Sequence, residues 1–107
     1  MKHFTSINNS EIVDLLKAGA IGVLRTDTLY GVVADAKNET AVQRVYKLKE
    51  RSEHKSPIVL ISSKAQVFDE VPAEITTLLE DVWPGPVSVI IPSSKAPLWI
   101  RRGNDSV

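Results

Sequence analysis

Three short stretches of this sequence stand out, and two of them hold residue types that could bind a ligand or grip an anion. The first is Thr26-Asp27-Thr28-Leu29-Tyr30-Gly31. It offers two aliphatic hydroxyls, a carboxylate and a phenol, followed by a glycine that can take angles closed to other residues. The second is Lys49-Glu50-Arg51 with Lys55. Lysine supplies a compact charge and arginine a planar fork of donors that matches phosphate oxygens, so the pair can grip one anionic group from two sides. The third, Trp83-Pro84-Gly85-Pro86, runs into Val87-Ser88-Val89-Ile90-Ile91. Its prolines fix the backbone and its indole packs, which reads as a structural corner. The first two stretches have structural readings as well. Thr and Asp cap turns by bonding to nearby backbone, and basic side chains gather at helix C-termini, where the dipole is negative. Taken singly, composition favours those readings.

The elements that must position these residues alternate along the chain. Asn8, Asn9 and Ser10 offer N-caps for a helix with Ile12, Leu15, Leu16 and Ala20 at helical spacing, and Gly19 is a natural stop. Ile21-Gly22-Val23-Leu24 reads as a buried strand, Thr26 to Gly31 as a turn leaving it, and Val32-Val33-Ala34 as a short extended piece. A turn at a strand's carboxyl end is where α/β sheets place ligands. Asn38 can cap a second helix, with Ala41, Val45 and Leu48 on one face, that runs into the basic cluster. Pro57 to Ile61 reads as a second buried strand, Pro72 to Val82 as a third helix with Ile75, Leu78 and Leu79, and Val87 to Ile91 as a third strand. Leu98-Trp99-Ile100 would start a fourth. The expected class is α/β, an open central sheet with flanking helices. No element after Ile100 closes that sheet, so its edge is expected to be open at the C-terminal end.

Composition narrows the partners. The chain has 107 residues, which fits one small domain, with 43% hydrophobic and 24% charged residues, the mix of an ordinary soluble protein. Thirteen basic residues balance thirteen acidic ones, so no whole-molecule field gathers nucleic acid and anion binding must come from a local cluster. The absence of cysteine excludes disulfides, thiolate metal sites and a cysteine nucleophile. It is compatible with the cytosol. Met1 to Thr5 has no apolar run like a signal peptide, and no stretch is long enough to span a membrane.

In this order and spacing, the three stretches resemble the YrdC/Sua5 family, the threonylcarbamoyl-adenylate synthases. That family shows a proline, a threonine, an acid, a second threonine, any residue, an aromatic and a glycine. A lysine-x-arginine pair follows, then a lysine or asparagine four residues later, a hydrophobic strand, and Trp-Pro-Gly-Pro. Thr26 to Gly31, Lys49 and Arg51, Lys55, Ile58 to Ile61 and Trp83 to Ser88 match in turn. The resemblance covers nearly the whole chain, 1–107, as a partial domain of the family's twisted open-sheet fold. It implies an L-threonylcarbamoyladenylate synthase. Threonine and bicarbonate form an N-carboxylated amino acid, whose carboxylate attacks the α-phosphate of ATP and expels pyrophosphate. The product serves a tRNA modification beside the anticodon, carried out by further tRNA-modifying proteins in the cytoplasm.

The residue roles follow from the same resemblance. Thr28 matches the second threonine, which contacts the threonine substrate. Lys49 and Arg51 match the catalytic, ATP-binding pair at the phosphates, where they would offset developing charge. Lys55 matches a further ATP contact, while Asp27 and Tyr30 shape the turn. Magnesium comes with ATP as the substrate complex; no permanent cofactor and no protein metal site are expected. Leu60 stands where some members carry a substrate-contacting histidine, and His54 does not fill that position. Arg25 and Ser52 each replace a common proline, and Ser56-Pro57 replaces proline-leucine. The family's later substrate arginine and its Ser-x-Asn motif are not in these residues; Arg101 and Arg102 come too early for the former. The expected activity of these residues alone is therefore weak or nil. The competing reading is a module that binds tRNA or double-stranded RNA without catalysis, against which the zero net charge argues. A carbamoyl-transfer domain of the hydrogenase-maturation type would bring zinc fingers, which a chain without cysteine cannot form.

Overall fold

The helix that begins the chain is set by its caps. The Asn9 side chain accepts the Glu11 amide at 2.9 Å, opening α1 (Ser10–Lys17). At the other end the Gly19 and Ala20 amides turn back to the Leu16 and Leu15 carbonyls, both at 3.0 Å. That paired closure needs a residue at positive φ, and Gly19 supplies it at 98°. In the computed structural model, which describes residues 2–6, 8–26 and 29–107, the chain divides into two compact units, 1–51 and 52–107.

In the first unit, β1 (Gly22–Arg25) and β2 (Tyr30–Val33) form an antiparallel hairpin whose register runs from Gly22 opposite Val33 to Arg25 opposite Tyr30. The sequence predicts a turn reaching Gly31, but Gly31 pairs with Leu24 inside the ladder. Its φ is not positive, and among the described residues an added Cβ would meet only Thr26 Cγ2, at 3.8 Å. Next comes α2 (Glu39–Lys49), capped by the Asn38 side chain on the Ala41 amide at 3.0 Å. Its buried face is Ala41, Val42 and Tyr46, while Leu48 is 63% exposed. The apolar stripe is centred one residue round from the expected Ala41–Val45–Leu48 line, because the Tyr46 ring has more area to bury than Leu48.

The second unit has less regular structure. The helix α3 (Ala73–Val82) follows Pro72 as predicted and buries Leu79 to 1% exposure. The predicted strands at 57–61 and 87–91 are absent. Ile58, Leu60 and Ile90 are exposed, at 72%, 64% and 79%. A strand exists only with a ladder partner, and among the described residues these segments have none beyond Ile91, whose amide and carbonyl exchange bonds with Val107 at 2.8 and 3.0 Å. Leu98–Arg101 is not a strand but a single turn of helix, α4, because Pro97 fixes the φ that starts a helix and the Ile100 and Arg101 amides bond back to its carbonyl at 2.9 and 3.0 Å. Leu79, Ile91, Ala96 and Ile100 are the buried apolar residues of this unit. The class is α/β: a small open antiparallel sheet with flanking helices, narrower than the sequence predicts.

Candidate functional site

The first predicted stretch covers the connection of the β1–β2 hairpin and the first two residues of β2. Thr26 closes it from one side: its amide donates to the Leu29 carbonyl at 3.0 Å and its hydroxyl accepts the Leu29 amide at 3.2 Å. Leu29 and Tyr30 stand exposed, at 76% and 74%. Asp27 and Thr28, including the residue matched to threonine binding, lie outside the described residues.

Lys49 and Arg51 are brought to one place, the C-terminal end of α2. Lys49 is its last residue and Glu50 takes a left-handed conformation at φ 50°, ψ 42°. The Glu50 and Arg51 amides close back on the Lys47 and Tyr46 carbonyls at 3.3 and 3.0 Å. A glycine would be the usual residue at such a position; Glu50 holds it here with a side chain that adds negative charge between two cations. The helix dipole is negative at this end, so it favours Lys47 and Lys49 and gives no help to an anion. Lys49 is exposed and Arg51 half-buried.

Lys55 lies in the second unit, in a segment without regular structure. Its amide donates to the Ser52 carbonyl at 3.1 Å and its carbonyl accepts from Arg102 Nη1 at 3.2 Å. His54 uses its carbonyl to accept from Asn104 Nδ2 at 3.0 Å. Leu60 is exposed.

Trp83-Pro84-Gly85-Pro86 is the structural corner expected. The Trp83 indole donates to the Val87 carbonyl at 2.7 Å, the Trp83–Pro84 bond is cis, and a Cβ on Gly85 would come within 2.8 Å of the Val82 carbonyl oxygen. Sequence reasoning missed Asp69. This carboxylate accepts the Ser93 hydroxyl, the Ser94 amide at 3.0 Å, the Ser94 hydroxyl at 3.1 Å and the Lys95 amide at 3.1 Å. The Ser93 bond is the main cause holding the Asp69 carboxyl below its ordinary value; partial burial opposes it, and the Ser94 and Lys95 bonds add to it. Ser93 in turn accepts the Ala96 amide at 3.1 Å. The signal was the Ser-Ser-Lys run before Pro97, a turn waiting for an acceptor, but nothing local marks a residue 24 positions earlier as that acceptor. Among the described residues no group of three His, Asp or Glu side chains is placed to hold a metal ion, and no helix is long and apolar enough to cross a membrane.

The family model for the Sua5/YciO/YrdC domain, described as telomere recombination, matches residues 14–107. The chain belongs to the Sua5/YciO/YrdC family. Threonylcarbamoyl-AMP synthase of Mus musculus is 42% identical over 84 residues, covering 75% of this chain and 29% of that protein. The Vibrio cholerae synthase is 32% identical over 106 residues, covering 94% of this chain and 56% of the relative. Among solved structures, Pyrococcus abyssi Sua5 complexed with L-threonine superposes with a TM-score of 0.81 at 32% identity, covering 91% of this chain and 30% of that one. The chain thus spans between about a third and somewhat over half of the relatives it matches.

Proposed function

We propose that this Sua5/YciO/YrdC chain carries the N-terminal share of an L-threonylcarbamoyladenylate synthase site, which uses threonine, bicarbonate and ATP. The observation that carries the reading is the Lys49/Arg51 pair at the end of α2, in a chain that resembles a Sua5 solved with L-threonine. In the reaction the threonine amine takes up bicarbonate with loss of water. An oxygen of the resulting carbamate bonds to the α-phosphorus of ATP, and the bond to the leaving pyrophosphate breaks. Negative charge gathers on the triphosphate as this happens, and Lys49, Arg51 and Lys55 are the cations assigned to offset it. Thr28 is assigned to the amino acid. Magnesium enters with ATP and shares the neutralisation. The adenylate serves the modification of tRNA beside the anticodon by further proteins, a cytoplasmic process.

The relatives supply more residues than this chain spans, so 107 residues alone should bind the substrates better than they turn them over. The test is pyrophosphate release with each substrate omitted in turn. A weak release that needs both threonine and bicarbonate, or ATP binding without release, agrees with the reading. Release that ignores threonine, or no ATP binding at millimolar nucleotide, overturns it.

A further inference from the structure

The segment that carries Lys55 is held by the last turn of the second unit. The 51–60 stretch has no helix or strand, and Lys55 is exposed on it. Three consecutive residues of it are nevertheless tied down. The His54 carbonyl accepts from Asn104 Nδ2 at 3.0 Å, the Lys55 carbonyl from Arg102 Nη1 at 3.2 Å, and the Ser56 hydroxyl donates to the Arg101 carbonyl at 2.9 Å. Asn104 Nδ2 also faces Ser56 Oγ at 3.1 Å and the Arg101 carbonyl at 2.9 Å. An amide nitrogen has two hydrogens, so these three acceptors share them and Asn104 sits at the centre of the knot.

The backbone that presents these donors is unusual. Arg102 and Gly103 both take positive φ, 52° and 89°, directly after α4. Gly103 needs no explanation there, but Arg102 does, since glycine or asparagine adopts this conformation at lower cost. The Arg102 amide already closes the helix on the Leu98 carbonyl at 2.9 Å, a bond any residue with an N–H could make. The Arg102 side chain adds the bond to the Lys55 carbonyl, which a glycine at this position could not make.

We infer that Arg102 and Asn104 are positioning residues for Lys55, setting the place from which its ammonium meets the nucleotide phosphates. The inference rests on the phosphate role proposed for Lys55. A lysine on a loose segment would spend part of its binding in ordering the backbone; one whose own carbonyl and both neighbours are tied has less order to lose. Arg102 acts through Lys55 and not through its own charge.

The experiment is a titration of the 107-residue chain with Mg·ATP, followed by amide NMR, for the parent, Lys55→Ala, Arg102→Gly, Asn104→Ala and the double variant Lys55→Ala/Arg102→Gly. Arg102→Gly suits the left-handed backbone, so its thermal midpoint should stay close to the parent's while the Kd for ATP rises about three- to tenfold. Asn104→Ala should raise it similarly. In the Lys55→Ala background, Arg102→Gly should change the Kd no further. If Lys55→Ala leaves ATP binding unchanged, the phosphate role itself fails. If Lys55→Ala weakens binding but Arg102→Gly and Asn104→Ala do not, the positioning role fails alone. If Arg102→Gly weakens binding equally with and without Lys55, its charge acts directly on the nucleotide and the inference is wrong.

Discussion

The two units of this chain are ordered by different means. Residues 1–51 are built from local signals: two helices opened by asparagine side chains, each closed by a left-handed residue, and a hairpin whose strands are neighbours in sequence. Residues 52–107 contain one α-helix of ten residues, one of four and a three-residue 3-10 turn at Lys64–Gln66, and much of the rest is irregular backbone held by side chains from far away in the sequence. Asp69 holds 93–95, and Arg102 and Asn104 hold 54–55. The lesson is that a segment without regular structure can still be tied down where distant side chains bond to its backbone.

The largest way to break this comparison is to remove apolar volume from the unit that polar contacts are said to order. Leu79→Ala should cost about 2–5 kcal/mol, the range for deleting a fully buried leucine, and should melt the second unit first. Chemical denaturation with Trp83 and Trp99 as probes reads it, because both tryptophans are in that unit. A loss below 1 kcal/mol would show that its apolar core matters little.

A smaller effect tests the first unit. Asn38→Ala removes the side-chain acceptor for the Ala41 amide and should cost about 1 kcal/mol. Amide exchange should quicken in the first turn of α2 and not in α3. Faster exchange in both helices would mean the two units are not ordered separately.

The smallest effect is one of pH. Because the Asp69 carboxyl is held below its ordinary value, its native hydrogen bonds favour the folded state when it is ionised. Between the lowered folded value and the ordinary one, the unfolded chain binds more protons. The contribution of Asp69 is therefore full above the ordinary aspartate range and falls away as pH drops through the lowered value. Asp69→Asn should flatten that part of the acid melting curve and leave the curve near neutrality parallel to the parent's. A parent and variant that fall together on acidification would remove Asp69 from the account.

What could be read from the sequence follows the same division. Asn9, Gly19 and Asn38 are cap residues whose chemistry acts within a few positions, so the starts of α1 and α2 were legible to within a residue or two, although Ala20, read as part of the first helix, lies beyond its end at Lys17. The stretches at 57–61 and 87–91 read as strands because their residues are apolar and β-branched. That composition says a segment can pair, and not that a partner lies beside it. Leu98-Trp99-Ile100 reads as extended until Pro97 is given its weight as a helix opener. Of the candidate site, the closeness of Lys49 and Arg51 was legible because both lie at one helix end. The anchoring of Lys55 by Arg102 was not, since 47 residues separate them.

The central claim is that Lys49 and Arg51 meet the phosphates of ATP while Thr28 meets the amino acid. Calorimetric titration of ATP into the parent, Arg51→Ala and Thr28→Ala, with far-UV circular dichroism to confirm the fold, tests it most directly. Losing a two-pronged, charge-assisted contact costs about 1.5–3 kcal/mol, so Arg51→Ala should weaken ATP binding roughly tenfold to a hundredfold. Thr28→Ala should leave ATP binding nearly unchanged and weaken threonine binding instead. Equal losses of ATP affinity in the two variants, or no loss in Arg51→Ala, would contradict the account.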